Sequence, residues 1–209
     1  MSGLTVIDLP KPTLTGGKSI LVAFKSRRTV REVSSRKLSV QLLSNLLWAA
    51  FGVNRQKGEG PFGAEGRTAA SASNAQEIDL YVALPEGVYL YEAALHRLLP
   101  VTSGDLRPLA IGAGQNGAGA NAPARIIYVV DINKFKTAGF QEPGLKDPET
   151  QKSYYYVDTG LIAGNVALFA AAYGLTAWFH NCHRSALAEK LNLRPGQRPL
   201  FAQTVGWPK

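Results

Sequence analysis

A chain of 209 residues with 45% hydrophobic and 18% charged side chains can bury a substantial core and lacks the composition of a disordered polymer. Its 23 Lys and Arg outnumber 15 Asp and Glu, giving a formal charge of +8. No zinc-finger spacing, helix-turn-helix pattern or RNA-binding aromatic motif accompanies that charge, which argues against nucleic acid. A single cysteine, Cys182, excludes an internal disulfide and a four-cysteine zinc site and fits a reducing, cytoplasmic setting; a secretory signal and a membrane span are likewise not expected.

Residues 1–17 are rich in Pro and Gly and read as an extended arm ahead of one domain, 18–209. Residues 20–24 read as a short helix that runs into Lys25-Ser26-Arg27-Arg28-Thr29-Val30-Arg31, four cations and two hydroxyls in seven residues. Guanidinium groups fork onto phosphate oxygens and hydroxyls add donors, so the cluster is either a solvated helix end or a phosphate site. The small, polar stretch 67–76, suited to close approach by a planar ligand, favours the site. Ser39 is placed to cap a helix over 39–52, with Leu42, Leu43, Leu46, Leu47 and Ala50 on one face. Residues 54–66, with Pro61 and four glycines, read as a loop.

Alternation predicts a strand over 78–84, a turn at 85–87 and a returning strand over 88–91. Gly112, Gly114 and Gly117 have the G-x-G-x-x-G spacing, but a helix is expected before them and none after, so this is a poor dinucleotide fingerprint. Residues 125–131 read as a buried strand, 134–153 as a polar loop, and 154–173 as a long apolar helix that must be buried centrally or between subunits. Residues 175–179 and 201–205 read as further strands. The order predicts an α+β fold with a mostly antiparallel sheet flanked by helices.

Taken in order, Arg27 to Arg31, residues 47–55, residues 71–76, the hairpin 81–91, Gly114-Gln115, residues 121–124, residues 158–165 and Gly174-Leu175 resemble the nitroreductase family of FMN-dependent oxidoreductases. The resemblance covers nearly the whole chain. Leu9-Pro10-Lys11-Pro12 is similar to the start of the short branch that holds azoline-dehydrogenase-like members. The resemblance implies a nitroreductase-like, FMN-binding domain over 18–209, completed by homodimerisation, with FMN at the subunit interface. The helix 154–173 and the arm 1–17 would then lie between subunits. Arg27, Arg28, Thr29 and Arg31 match the family's first flavin segment, which holds phosphate and the pyrimidine edge. Ser71 and Asn74 match the segment given by the other subunit, and Gln115 a polar residue facing the ring. Asn181 and Cys182 fall where the family places a backbone amide against flavin N5. Two departures stand out. Ala70 replaces a common proline, and the chain stops at Lys209 where longer members continue to a further basic phosphate contact, a role Lys209 would take.

The implied activity is ping-pong hydride transfer from NADH or NADPH through FMN to a small-molecule acceptor such as a nitroaromatic or quinone. An FMN-dependent dehydrogenase of a heterocycle or modified peptide, and a flavin-binding protein without turnover, are the alternatives. The flavin carries the chemistry, and the protein supplies position and charge. Arg31 is the candidate cation beside the ring, against a plain ion pair with Glu32. His180 and His183 flank the Asn181-Cys182 pair and read as proton donors or, more simply, as polar residues at a strand end. Cys182 has no partners for a nucleophilic triad.

Overall fold

The computed structural model describes residues 3–59, 65–112, 119 and 121–209. Its centre is an antiparallel sheet of β1 (Ile7–Asp8), β4 (Ile78–Leu84), β5 (Gly87–Glu92), β6 (Arg97–Ser103), β7 (Ala124–Asp131), β8 (Thr176–His180) and β9 (Gln197–Gly206). The spatial order is β1-β6-β5-β4-β7-β9-β8. A separate two-stranded ribbon joins β2 (Val53–Arg55) to β3 (Gly66–Arg67). The α+β expectation therefore holds.

β7 explains the layering. All of its residues are buried, so both faces of this central strand must be covered. Ile126, Tyr128 and Val130 point to one side, against α2 (Val40–Phe51) and α3 (Pro148–Ala172). Ile127 and Val129 point to the other, against Leu187 and Leu191 around α4 (Arg184–Lys190). Two apolar clusters thus sandwich the sheet. α1 (Ile20–Ser26) lies against α3. No described helix is long and apolar enough to cross a membrane.

Ser39 caps α2 as expected, its side chain accepting from Leu42 N at 3.2 Å. The start of α3 departs from expectation. It begins at Pro148, inside the stretch read as a polar loop, because Asp147 accepts from Thr150 N at 2.7 Å and Pro148 occupies the first turn. That turn is solvent-facing, so it carries no apolar period. Short 3-10 turns at Ile132–Thr137 and Pro143–Lys146 fill the rest of that stretch. No helix precedes the glycine-rich segment; residues 107–110 form turns. β6 and α4 have no counterpart in the sequence reading.

The arm also differs from a purely intersubunit element. Ile7 pairs with Leu98, Leu9 is buried in the chain's own core, and Thr13 N donates to Asn45 Oδ1 at 2.9 Å. Conversely, α3 is not sealed within the chain. Val157 is 60% and Leu161 45% exposed, beside Leu21 and Phe24 of α1 at 76% and 59%.

Candidate functional site at the β8 edge

α1 ends at Arg27, whose backbone turns extended. From there the chain runs along the free edge of β8, with Thr29 bridging Ala177 in parallel and Val33 bridging Pro208. Ser34 N donates to Trp207 O at 2.9 Å. The cationic segment is therefore held by its backbone, leaving its side chains free to face a ligand. Arg27 and Arg28 line a cavity of about 220 Å³ with Lys18, Ser26 and Pro208, floored by Ala167, Ala170, Ala171 and Gly174 of the α3 end. Lys209 follows Pro208 and is exposed. Arg27, Arg28 and Arg31 are exposed, and none pairs with a described acid. Arg31 lies with its guanidinium carbon 5.4 Å from the Trp178 ring centroid rather than on Glu32.

At the far end of β8, Gly112, Asn181, Cys182 and His183 line an open recess of about 830 Å³ with the first residues of α4. Ala177 and Asn181 stand four residues apart, roughly 13 Å along an extended strand. Burial pushes the Cys182 thiol up to about 11, so it stays protonated at neutral pH and is no nucleophile. What Cys182 offers is its N–H, which has no acceptor among the described residues. The Asn181 carbonyl, by contrast, is doubly engaged. It accepts from Gly112 N at 2.8 Å and lies 2.9 Å from His180 Nδ1.

Ser71 and Asn74 lie elsewhere in the chain. Ser73, Asn74 and Gln76 all adopt left-handed backbone, with φ of 50°, 54° and 51°, conformations non-glycine residues hold only when surroundings impose them. Here Ser71 Oγ accepts from Gln76 N at 3.0 Å, Asn74 Nδ2 donates to Glu65 O at 3.2 Å, and Arg67 Nε donates to Gln76 Oε1 at 2.7 Å. Ala72 N donates to Asp158 Oδ2 at 2.8 Å. Asp158 sits nine to thirteen residues before the alanines that floor the arginine cavity, roughly 14–20 Å along α3. One chain thus brings Arg27, Arg28, Thr29, Arg31, Asn181, Cys182 and Lys209 to one sheet edge and keeps Ser71 and Asn74 apart from them. Gln115 lies outside the described residues. Among the described residues no group of His, Cys, Asp or Glu gathers to hold a metal ion.

Comparisons with known proteins bear on the fold and the family. The sequence model of the Nitroreductase family matches residues 24–207. The chain belongs to the nitroreductase family. A protein of Methanocaldococcus jannaschii, named as a nitroreductase, is 28% identical over 188 residues, 86% of each chain. A crystal structure from Ralstonia eutropha, assigned as a nitroreductase, superposes with a TM-score of 0.84 at 32% identity, covering 98% of this chain and 90% of that one. The Escherichia coli microcin synthetase complex, with its truncated pro-peptide bound, contains a chain of the same fold. It gives a TM-score of 0.68 at 18% identity, over 99% of this chain and 79% of that one.

Nitroreductase-family chains are oxidoreductases, and in this one sequence reasoning singled out His180 but missed the buried cation linked to it through Thr204, Arg125. Arg125 is fully buried on β7 and His180 is 5% exposed at the end of β8. A signal for Arg125 existed: a lone cation opening a run of apolar strand residues is buried only when partnered.

Proposed function

We propose that the chain is an FMN-dependent NAD(P)H oxidoreductase that works as a homodimer. The observation that carries the reading is the pairing, along one edge strand, of arginines that meet no described acid at one end with a peptide N–H that has no acceptor among the described residues at the other. An anionic tail and a flat ring on one ligand would satisfy both. The donor set suits FMN: Arg27 and Arg28 would take the phosphate, with Lys209 near them, Thr29 would add a hydroxyl, and Arg31 would place positive charge beside the ring. The Cys182 N–H would meet N5. Ser71, Asn74 and Gln115 would reach the flavin from their own segments, the first two across the dimer.

When bound, FMN supplies the hydride chemistry, taking a hydride from NADH or NADPH and delivering it to a nitroaromatic, a quinone or a similar acceptor. The protein's part is positional and electrostatic. Fixed donors aimed where negative charge develops lower the barrier without reorganising. Arg31, held against Trp178, and the Asn181–Cys182 peptide are such fixed groups. The exposed apolar side chains of α1 and α3 are the surface a second copy would cover, and the 71–76 turn would enter the site of that copy.

Anaerobic titration of the purified protein with NADH and with NADPH, followed by flavin absorbance, tests this reading. Bleaching by either supports it. Bound flavin that neither bleaches would point instead to a dehydrogenase of a heterocycle or modified peptide, or to a binding protein. A protein that takes up no FMN overturns it.

A further inference from the structure

We propose that His180 is a positioning residue, the last member of a one-way hydrogen-bond relay that runs from Arg125 through Thr204 to the Asn181 carbonyl and sets the donor strength and direction of the Cys182 N–H. The flavin reading above underlies the role assigned to that N–H.

The direction of every proton in the relay follows from what each group can do. A guanidinium only donates. Arg125 donates through Nε to Thr204 Oγ1 at 3.1 Å and through Nη2 to Gly119 O at 2.6 Å. Burial, its largest cause, lowers the Arg125 pKa to about 10, so the group is still a cation at neutral pH. At the other end, a carbonyl oxygen only accepts. His180 Nδ1 lies 2.9 Å from Asn181 O and must therefore carry the ring proton. Burial lowers the His180 pKa to about 4, so the imidazole is neutral and holds that one proton. Its Nε2 is then an acceptor, 2.8 Å from Thr204 Oγ1. The threonine hydroxyl receives from Arg125 and gives its own proton to His180. All donors point from the buried cation toward Asn181 O, the arrangement in which successive hydrogen bonds polarise one another.

The endpoint is a peptide unit, not a side chain. The Asn181 carbonyl and the Cys182 N–H are conjugated through the same C–N bond. Hydrogen bonds that draw electron density onto the oxygen leave the N–H more positive and a better donor. Asn181 O receives two, from His180 and from Gly112 N at 2.8 Å. A Cβ at position 112 would stand 3.0 Å from Asn181 Cβ and 3.2 Å from its carbonyl oxygen, so glycine there permits the second donor. Both residues of this peptide, Asn181 and Cys182, line the recess. The imidazole is also fixed in place, 4.5 Å from the Trp178 ring that carries Arg31.

The alternative is that His180 merely closes a strand end. Three substitutions separate the two roles. His180→Asn puts an amide nitrogen near the place of Nδ1 and keeps a donor on Asn181 O. His180→Gln reaches toward Thr204 and leaves Asn181 O with Gly112 alone. Thr204→Val breaks the relay from the other side while keeping shape. Nitrogen-15 NMR of the protein should find the wild-type His180 proton on Nδ1. The Cys182 amide proton should shift upfield most in His180→Gln, which removes the donor from Asn181 O, and by less in Thr204→Val and His180→Asn, which keep that donor and cut only the relay behind it. In FMN-loaded protein, stopped-flow reduction by NADH or NADPH should slow by about tenfold in His180→Gln, with FMN affinity changed far less, and His180→Asn should restore the rate. An Nε2 proton in the wild type, or a Cys182 amide indifferent to His180→Gln and Thr204→Val, overturns the relay. If the protein binds no FMN but the amide shifts follow this pattern, the relay stands and the flavin reading falls; if FMN is reduced at one rate in all variants, the relay falls and the flavin reading stands.

Discussion

Glu77, on the turn before β4, and Asp158, in the middle of α3, bring two carboxyl groups together inside the core. Glu77 is fully buried, and the side chain it meets there is the Asp158 carboxyl. Burial, and then the Asp158 charge, push Glu77 up to about 8. Burial raises Asp158 as well. Two carboxylates cannot both stay ionised here, so at neutral pH the pair holds a proton.

The pair predicts a pH dependence of stability. An unfolded Glu titrates near 4.3; the folded Glu77 titrates higher, so folding takes up a proton in between. Its stabilising contribution is full below about pH 4.5, declines as pH rises, and is gone above 8. Glu77→Gln keeps a neutral group of similar shape. Its melting temperature should exceed the parent's by several degrees at pH 8.5 and match it near pH 5. Melts at a series of pH values check this, and parallel curves for the two proteins would refute it.

Arg27→Ala should weaken FMN binding by roughly ten- to hundredfold, the usual worth of one charge-assisted hydrogen bond of about 1.5–3 kcal/mol. Dialysis followed by flavin fluorescence measures it. Retention equal to the parent's would remove Arg27 from the phosphate site.

Cys182→Ala and Cys182→Ser should leave FMN binding and its reduction nearly unchanged, since a thiol with a pKa of about 11 takes no part. Cys182→Pro lacks the N–H and should slow reduction by about a hundredfold or more. Stopped-flow kinetics on the three proteins decide it. Loss of reduction in Cys182→Ala with FMN still bound would implicate the sulfur.

Leu161→Asp, at a side chain 45% exposed in the single chain, should put charge into the α1–α3 surface and break the proposed dimer. Sedimentation should show a folded monomer that loses FMN, because the site then lacks its second half. A variant that remains dimeric and yellow would place the interface elsewhere.

Much of this fold was legible from local chemistry. Ser39 announced α2, and the alternating residues before and after Pro85 announced the hairpin. The arginines drew notice because four cations and two hydroxyls in seven residues suit a phosphate, although a solvated helix end suits them too. Distance hid the rest. Thr204 lies 24 residues from His180, and Arg125 lies 79 from Thr204, so nothing in either neighbourhood announces the relay. Gln203 and Thr204 sit between Ala202 and Val205 of β9 as buried polar residues, and their partners become visible only once β7, β9 and β8 are side by side. The first turn of α3 was missed for the opposite reason: its cap was plain in Asp147-Pro148, but solvent-facing residues gave no period to follow.

The first 33 residues reach both margins of the sheet. Ile7 and Asp8 pair with β6 at one margin, while Thr29 and Val33 hold the β8 side at the other. During synthesis those residues leave the ribosome first, yet their partners Leu98 and Ala177 follow roughly 90 and 150 residues later. Contacts of such long sequence separation form slowly. The amino-terminal segment must therefore wait for the rest of the chain, and the arginines it carries reach the β8 edge only when the last strands have been made. A nascent chain cut short before β8 would keep its cations and have no edge to lay them on.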